Sequence, residues 1–246
     1  MRFLIQQDCP LNVDMLMIKE LLDNEKFTHE YEMINLENLA NYNAENVKDM
    51  IPMGTVEFVE TYFKNFHEIE RENPIEIPVC LRTDEFLKRK YSIVKYENLP
   101  KNGEYFIKDV TQLKSFSYCG KLECLNTDMD RSHLYQVSEF VNILSEYRIY
   151  ILDGSIYAVV NYNGNPCIFP DMNLINKANL IYSVQKDYPK SYTMDIMITD
   201  KGSSIIECHT LFSTGLYSTI WGTNWLYGYR DSKDYILNYN TKIEEW

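Results

Sequence analysis

A chain of 246 residues, of which 45% are hydrophobic, can bury a core of one or two domains. Its formal net charge of −12 at pH 7 argues against general nucleic-acid binding, which requires a basic surface. No stretch reaches the roughly 18 consecutive apolar residues of a membrane span, so we expect no membrane partner. The six cysteines form no C-x-x-C pair, which favours reduced thiols and a cytoplasmic location.

The N-terminal part of the chain has the pattern of a small α/β lobe. The letters RFLIQQ predict a strand, and the helical spacing of apolar residues after Pro10 predicts a helix behind it. A second helix is predicted from Gly54 or Thr55 to Phe66, and a short helical piece in TDEFLKRK. We expect this lobe to span residues 1–103.

Strand patterns dominate after residue 103, so we expect residues 104–246 to form antiparallel α+β lobes. Strands are predicted in EYFIKDV, LYQVSEFV and EYRIYILDGSIYAVVNY, the last of which folds back at the Asp153-Gly154 turn. Helices are predicted from Lys177 to Lys186 and from Trp225 to Tyr239, although Gly228 is unfavourable within the second. The predicted fold class is α+β.

A hairpin is predicted in YTMDIMITDKGSSIIECHTLFSTGLY, which runs from Tyr192 to Tyr217. A three-residue loop with Gly202 in the left-handed conformation sets a register with three cross-strand pairs: Asp195 with Glu207, Ile196 with Ile206, and Met194 with Cys208. Asp195, Glu207 and His209 then share one face, and the other face is apolar. Carboxylates about 5 Å apart repel unless a cation lies between them. Mg²⁺ or Mn²⁺ is therefore predicted here, the alternative being a solvated face with ordinary surface acids.

Several further charged residues lie inside apolar strand patterns rather than at turns. Burying a charge costs several kcal/mol unless it is paired or has a function. Because these residues carry charges of both signs, we predict that they hold a polyanionic ligand and a metal ion in a cleft between sheets. They are Lys108, Glu139, Glu146, Arg148, Asp195, Glu207 and His209. The sequence contains no GxxxxGK[ST] and no GxGxxG motif, so P-loop and Rossmann chemistry are disfavoured.

The serial order of these motifs resembles the ATP-grasp superfamily, and within it the phage and bacterial clade named for one arginine and two lysines. The resemblance extends over about residues 84 to 217 and only loosely over the N-terminal lobe. It rests on five segments: FLKRKYSIV, YFIKDVTQLKSF, YQVSEFVNILSEYRIYILDG, DIMITDKGSSIIECH and STGLY. The fold that it implies is ATP-grasp-like, with the nucleotide held in a cleft between antiparallel sheets.

The resemblance also implies roles for individual residues. Arg89, Lys108 and Lys114 look like the arginine and the two lysines of the clade and are expected to bind the ATP cofactor, with Lys108 reaching its phosphates. The segment around Glu139, Phe140 and Val141 would border adenine. Each of these positions has a plain structural alternative; Lys108, for example, would be a charged residue on an edge strand.

The remaining residues of the resemblance lie further along the chain. Glu146 would meet the ribose, and Arg148 would face a phosphate or the acyl group, unless the two form a structural ion pair. Asp195 and Glu207 look like the metal ligands. His209 is the third predicted ligand and stands where the family pattern E-x-N has asparagine. Imidazole is a poorer ligand for Mg²⁺ than an amide oxygen.

The activity implied by the resemblance is an ATP-dependent carboxylate-amine ligase, with Arg148 and Lys114 as catalytic residues. ATP and Mg²⁺, or Mn²⁺, would be its cofactors, and a small metabolite or a peptide would be its substrate. If the protein is phage-encoded, it would act in the host cytoplasm. One alternative is a catalytically weakened, ATP-grasp-like nucleotide-binding or interaction protein, and a third is a structural viral or host-interaction protein.

Overall fold

The computed structural model describes residues 1–9, 13–23, 29–43, 46–70, 75–125, 129–217 and 224–239. Within these ranges the chain forms one parallel sheet of three strands and two antiparallel sheets of four strands each. In the described ranges, the helices are all too short or too polar to cross a membrane.

The N-terminal lobe is a three-stranded parallel sheet in the order β2-β1-β3, covered by helices. Its elements are β1 (Arg2–Gln6), α1 (Val13–Asp23), β2 (Glu30–Ile34), α2 (Leu36–Leu39), β3 (Ile51–Met53) and α3 (Val56–His67). Helix α3 begins where predicted because the hydroxyl of Thr55 accepts a hydrogen bond from the backbone N–H of Phe58 at 3.2 Å. The predicted α/β pattern of this lobe is confirmed.

The middle sheet is antiparallel, with the strand order β4-β7-β5-β6. Its elements are α4 (Asp84–Leu87), β4 (Tyr91–Lys95), β5 (Glu104–Asp109), β6 (Ser117–Lys121) and β7 (Leu134–Glu139). Strand β4 precedes residue 103 but pairs with β7, which follows it. The division of the chain at residue 103 stays a prediction.

The C-terminal sheet is antiparallel, with the strand order β11-β10-β8-β9. Its elements, with the helices around it, are β8 (Ser145–Leu152), β9 (Ser155–Gly164), α5 (Met172–Ser183), β10 (Tyr192–Thr199), β11 (Gly202–His209) and α6 (Asn224–Tyr239). One face of this sheet is apolar and packs against α5 in a shared core. The alternation predicted for the hairpin is therefore observed: residues that face the core alternate with charged residues on the opposite face.

The hairpin itself differs from the prediction in its loop. Thr199 pairs directly with Gly202, so the loop has two residues instead of three, although Gly202 has the expected positive φ of 93°. A bulge after Asp195 then shifts the register by one residue, and Ile196 pairs with Ile205 rather than with Ile206. The two departures compensate, because the bulge restores the predicted pairing of Asp195 with Glu207.

Two helices also correct the sequence-based expectations in detail. Helix α5 begins at Met172, five residues before the predicted Lys177, because Asp171 caps it by accepting hydrogen bonds from the backbone N–H groups of Asn173 and Leu174. Helix α6 continues through Gly228. A Cβ at this position would lie 2.6 Å from Leu211 Cδ1, so the glycine lets the helix approach the core closely.

Within the described residues, an apolar core joins the N-terminal lobe to helix α6. It combines Phe3 and Ile5 of β1 with Trp225, Leu226 and Ile236 of α6. The C-terminal helix is therefore packed with the first lobe, and the segment 210–217 runs between this core and the polar face of the C-terminal sheet.

Candidate active site

Arg148 and Asp195 form a buried ion pair at the centre of the polar face of the C-terminal sheet. They lie opposite each other on β8 and β10. Arg148 Nε and Nη2 each donate a hydrogen bond of 2.8 Å to one oxygen of Asp195, which is the bidentate geometry that guanidinium favours. Burial alone would lower the pKa of Arg148, but its hydrogen bonds to Asp195 and the charge of that carboxylate raise it, so the guanidinium stays charged.

Aromatic rings and a backbone carbonyl complete the surroundings of Arg148. Its guanidinium lies 5.5 Å from the ring centroid of Tyr162 and 4.8 Å from that of Tyr217, and these two rings are stacked. Arg148 Nη1 also donates to the carbonyl of Gly215 at 3.2 Å. The alternative in which Glu146 and Arg148 form a structural ion pair is not observed, because Arg148 donates from Nε and Nη2 to Asp195 and from Nη1 to Gly215.

Lys108 connects the middle sheet to the C-terminal sheet. Its ammonium lies 2.5 Å from a carboxylate oxygen of Glu207 and 3.0 Å from a carboxylate oxygen of Glu76. Burial would lower the pKa of Lys108, but the two carboxylates outweigh it and raise the pKa. Lys108 is thus a charged group held at the junction of the two sheets, and its contact with phosphate stays a prediction.

Glu207 lies between Lys108 and His209 and pairs with Asp195 across the hairpin. One of its oxygens contacts Lys108, and the other lies 3.0 Å from His209 Nε2. Burial would raise the pKa of Glu207, but His209 and Lys108 outweigh it and hold the pKa below its usual value. The three predicted metal-site residues are therefore together on one face, as the sequence indicated.

Glu76 is a member of this cluster that the sequence analysis missed. It is only 2% exposed, and burial raises the pKa of its carboxyl against the opposing effect of Lys108. The segment 75–77 runs beside β11, where Cys208 N donates to the Glu76 carbonyl at 2.8 Å. The signal in the sequence was the letters PIEIP, an acid between two apolar residues within a proline-bounded extended segment.

Arg89 is buried between helix α4 and strand β11. It is 8% exposed and donates from Nη1 to the backbone carbonyls of Leu87 at 3.1 Å and Ile205 at 2.8 Å. Burial lowers its pKa to about 10. The structure thus gives Arg89 a role in joining α4 to β11, and its role in binding the cofactor stays a prediction.

The linker between the two antiparallel sheets carries an exposed apolar strip. Phe140 is 46% exposed, and Ile143 and Leu144 are similar. Glu139, at the end of β7, accepts from the backbone N–H of Lys90 at 3.2 Å and lies 3.5 Å from Lys201 Nζ. Such a strip offers the apolar contact that an adenine ring needs. The adenine roles of Glu139, Phe140 and Val141 remain predictions, as does the ribose role of Glu146, which lies two residues before Arg148 on the same face of β8.

Lys114 lies in the wall of a cavity rather than on a strand of the two antiparallel sheets. It is in the β5–β6 loop with a positive φ of 53°. The buried Asp109 orders this loop by accepting from the backbone N–H groups of Thr111 and Gln112, at 2.8 and 3.2 Å, and from Ser115 Oγ. Lys114 lines a cavity of about 440 Å³ whose other walls come from the start of α3, from segment 211–215 and from Tyr229.

The donor chemistry fits Mg²⁺ at Glu207 but not at both predicted carboxylates as they are arranged. Glu207 is a carboxylate at the cleft, whose side chain is 22% exposed and bonded only to side chains that can exchange partners. Both oxygens of Asp195 accept from Arg148, one of them also accepts from the Tyr162 hydroxyl at 3.4 Å, and the side chain is only 3% exposed, so Asp195 is less accessible to a metal ion than Glu207. Among the described residues, no group of three or more His, Cys, Asp or Glu side chains has the geometry to hold an ion.

Solved structures with the same fold include a ligase complexed with ATP, a synthetase and a protein described as an ATP-grasp ligase. D-alanine–D-alanine ligase from Bacillus anthracis complexed with ATP has a TM-score of 0.52 and 11% identity, and the alignment covers 100% of both chains. D-cycloserine synthetase DcsG has a TM-score of 0.56 and 9% identity, over 95% of this chain and 99% of that one. The ATP-grasp ligase PsnB, complexed with a phosphomimetic variant of its minimal precursor, Mg and ADP, has a TM-score of 0.53 and 11% identity, over 94% and 97%. No curated protein sequence matches the chain.

Two antiparallel sheets that meet at a charged cleft, together with these likenesses, define the fold as that of an ATP-grasp protein. The model of one family, the ATP-grasp domain, R2K clade family 2, matches residues 86–220, which is more than half of the chain. The chain therefore belongs to this family. The resemblance and the α+β, ATP-grasp-like fold class inferred from the sequence are both confirmed.

Proposed function

We propose that the protein is an ATP-dependent ligase that joins a carboxylate to an amine through an acyl-phosphate intermediate. The observation that supports this most directly is the meeting of Lys108 and Glu207 at the junction of the two antiparallel sheets, beside the Arg148–Asp195 pair. This cluster supplies cations for a triphosphate and a carboxylate for its metal ion in one cleft.

The residues of the cluster have distinct proposed roles. Lys108 binds the phosphates from the side of the middle sheet, and Arg148, fixed by Asp195, faces the transferred phosphoryl or acyl group. The apolar strip at Phe140 borders adenine, and Glu146 meets the ribose. When bound at Glu207, Mg²⁺ would neutralise the charge of the phosphates. Mn²⁺ has the same preference for oxygen ligands.

The cavity beside Lys114 is the proposed site of the carboxylate or amine substrate. It is directly connected to the cluster, because Gly215 in its wall accepts a hydrogen bond from Arg148. Its volume of about 440 Å³ suits a small metabolite or the end of a peptide. The ammonium of Lys114 and the carboxylate of Glu57 in the wall suit a substrate that carries both a carboxylate and an amine. The ATP-grasp ligase PsnB, which has a similar fold, has been solved in complex with a minimal precursor, and this supports a precursor-like substrate as one candidate.

Trapping of the intermediate tests the proposal. With ATP, Mg²⁺ and panels of amino acids and short peptides, hydroxylamine should convert the acyl phosphate into a hydroxamate while ADP and phosphate form in equal amounts. Formation of AMP and pyrophosphate would contradict an acyl-phosphate ligase. ADP formation that no candidate acid accelerates would also contradict it.

A second function is favoured by the substitution at the end of the metal hairpin. His209 stands where the family pattern has asparagine, and it contacts Glu207 directly. Imidazole beside the metal-binding carboxylate suits a protein that binds nucleotide but has lost ligation. Calorimetric binding of ATP with no formation of ADP under any substrate panel would support this alternative over the ligase.

A further inference from the structure

Glu76 lies outside residues 86–220, so the family match assigns no role to it. Nevertheless, it contacts the central lysine of the cleft: one oxygen lies 3.0 Å from Lys108 Nζ, and the other accepts a hydrogen bond from it at 3.1 Å. Lys108 therefore has two carboxylate partners, Glu76 on one side and Glu207 on the other. A single ammonium needs only one counter-ion, so the second carboxylate requires an explanation.

The two carboxylates differ in their freedom to move. The side chain of Glu207 is 22% exposed and that of Glu76 is 3% exposed. Ile75 and Ile77, on either side of Glu76, are buried, and the backbone of Glu76 is bonded to Cys208 of β11. Glu207 can thus turn towards a ligand in the cleft, whereas Glu76 cannot follow it.

We propose that Glu76 is a positioning residue that acts as the permanent counter-ion of Lys108 and thereby releases Glu207 for the metal ion. This inference rests on the proposed use of the cleft for Mg²⁺ and ATP. In the absence of nucleotide, Lys108 bonds both carboxylates. With Mg²⁺·ATP bound, Glu207 would hold the metal ion, and Glu76 would keep the ammonium of Lys108 beside the phosphates. Without Glu76, Lys108 has Glu207 as its sole carboxylate partner in the cluster and competes with the metal ion for it.

The test is the substitution Glu76→Gln, which preserves the shape of the side chain and removes its charge. We expect the Kd for Mg²⁺·ATP, measured by calorimetry, to rise at least tenfold. The Kd for ATP in EDTA should stay the same or fall, because the metal-free triphosphate meets one negative charge fewer. A residue with a merely structural role would weaken both forms together. Glu85→Gln is the matched control, since Glu85 pairs with Lys177 on the surface.

A double-mutant cycle with Lys108→Met isolates the coupling between the two residues. Glu76→Gln should have less than a threefold effect on Mg²⁺·ATP binding when Lys108 is already methionine. Equal loss of both forms of ATP in Glu76→Gln, no loss of either, or additive effects in the cycle would each overturn the inference. Should the wild-type protein fail to bind Mg²⁺·ATP at all, the proposed function falls and this inference falls with it. If the wild type binds Mg²⁺·ATP and any of those three results is obtained, the inference about Glu76 is overturned and the proposed function is not.

Discussion

Lys108 and Glu207 are 99 positions apart in the sequence, yet the ammonium of one lies 2.5 Å from the carboxylate of the other. The contact joins β5 of the middle sheet to β11 of the C-terminal sheet. Because the two residues meet where the two sheets adjoin, their charges are placed to contact a ligand bound between the sheets. This relationship makes both residues the first targets for substitution.

Lys108→Ala should raise the Kd for ATP by about ten- to a hundredfold. A hydrogen bond to a charged group contributes about 1.5–3 kcal/mol, and each 1.4 kcal/mol is a tenfold change in affinity. Isothermal titration calorimetry measures the effect directly. Lys121→Ala, an exposed position on β6 of the same sheet, should bind ATP like the wild type. If Lys108→Ala also binds like the wild type, the assignment of the cleft is wrong.

Glu207→Gln should reduce Mg²⁺-dependent turnover by at least about a hundredfold, a loss typical of removing a group that stabilises the transition state. The fold should persist at neutral pH, because Lys108 retains Glu76. Since the pKa of Glu207 is lowered below its ordinary 4.5 in the folded state, its carboxylate stabilises the fold above that pH. The wild type should therefore lose stability more steeply than Glu207→Gln as the pH falls below 4.5. Thermal melts from pH 6 to pH 3 provide the measurement. If Glu207 did not pair with Lys108 and His209, the Tm of the wild type and that of Glu207→Gln would fall equally steeply with pH.

Arg148→Lys should destabilise the fold by about 3 kcal/mol, because lysine cannot reproduce the two-point contact and leaves Asp195 partly unpaired in a buried site. Urea unfolding provides the measurement. Arg2→Lys is a matched control: Arg2 contacts Glu32 at 2.8 Å at the surface, where such pairs contribute little. Similar losses in the two variants would show that burial of the Arg148–Asp195 pair has no special consequence.

Lys233 should make stability rise with pH. It is 5% exposed on α6, and its ammonium donates to the carbonyls of Lys48 and Met50 and to the hydroxyl of Tyr62. Burial lowers its pKa from 10.5 to about 8. Between these values the unfolded chain binds the additional proton, so the free energy of unfolding should rise by up to about 1.4 kcal/mol per pH unit.

Urea unfolding of the wild type and of Lys233→Met between pH 7 and 9.5 isolates the contribution of Lys233, because buried groups with raised pKa values, such as the Cys208 thiol and the Tyr192 hydroxyl, affect both proteins alike. The free energy of unfolding of the wild type relative to that of Lys233→Met should rise with pH. A difference between the two proteins that stays constant across this range would contradict the prediction.

Local signals predicted the hairpin pairing of Asp195 with Glu207, the turn at Asp153-Gly154 and helix α3. In each case a turn residue, a cap or an apolar period within about a dozen residues carries the information. Helix α5 was placed too late because the capping effect of Asp171 was not used. Glu76 was missed because its role depends on the path of the segment 75–77 along β11, and no local pattern specifies that path.

The sequence by itself determined which side chains had to be accounted for. Charges inside apolar strand patterns must find partners or a ligand, since burial without either costs too much. Only the tertiary structure decided which partners they find: Arg148 takes both oxygens of Asp195, and Lys108 takes Glu76 as well as Glu207. The physical reason is that periodicity fixes the face of a strand on which a residue lies, whereas pairing between distant segments depends on how whole sheets and lobes pack.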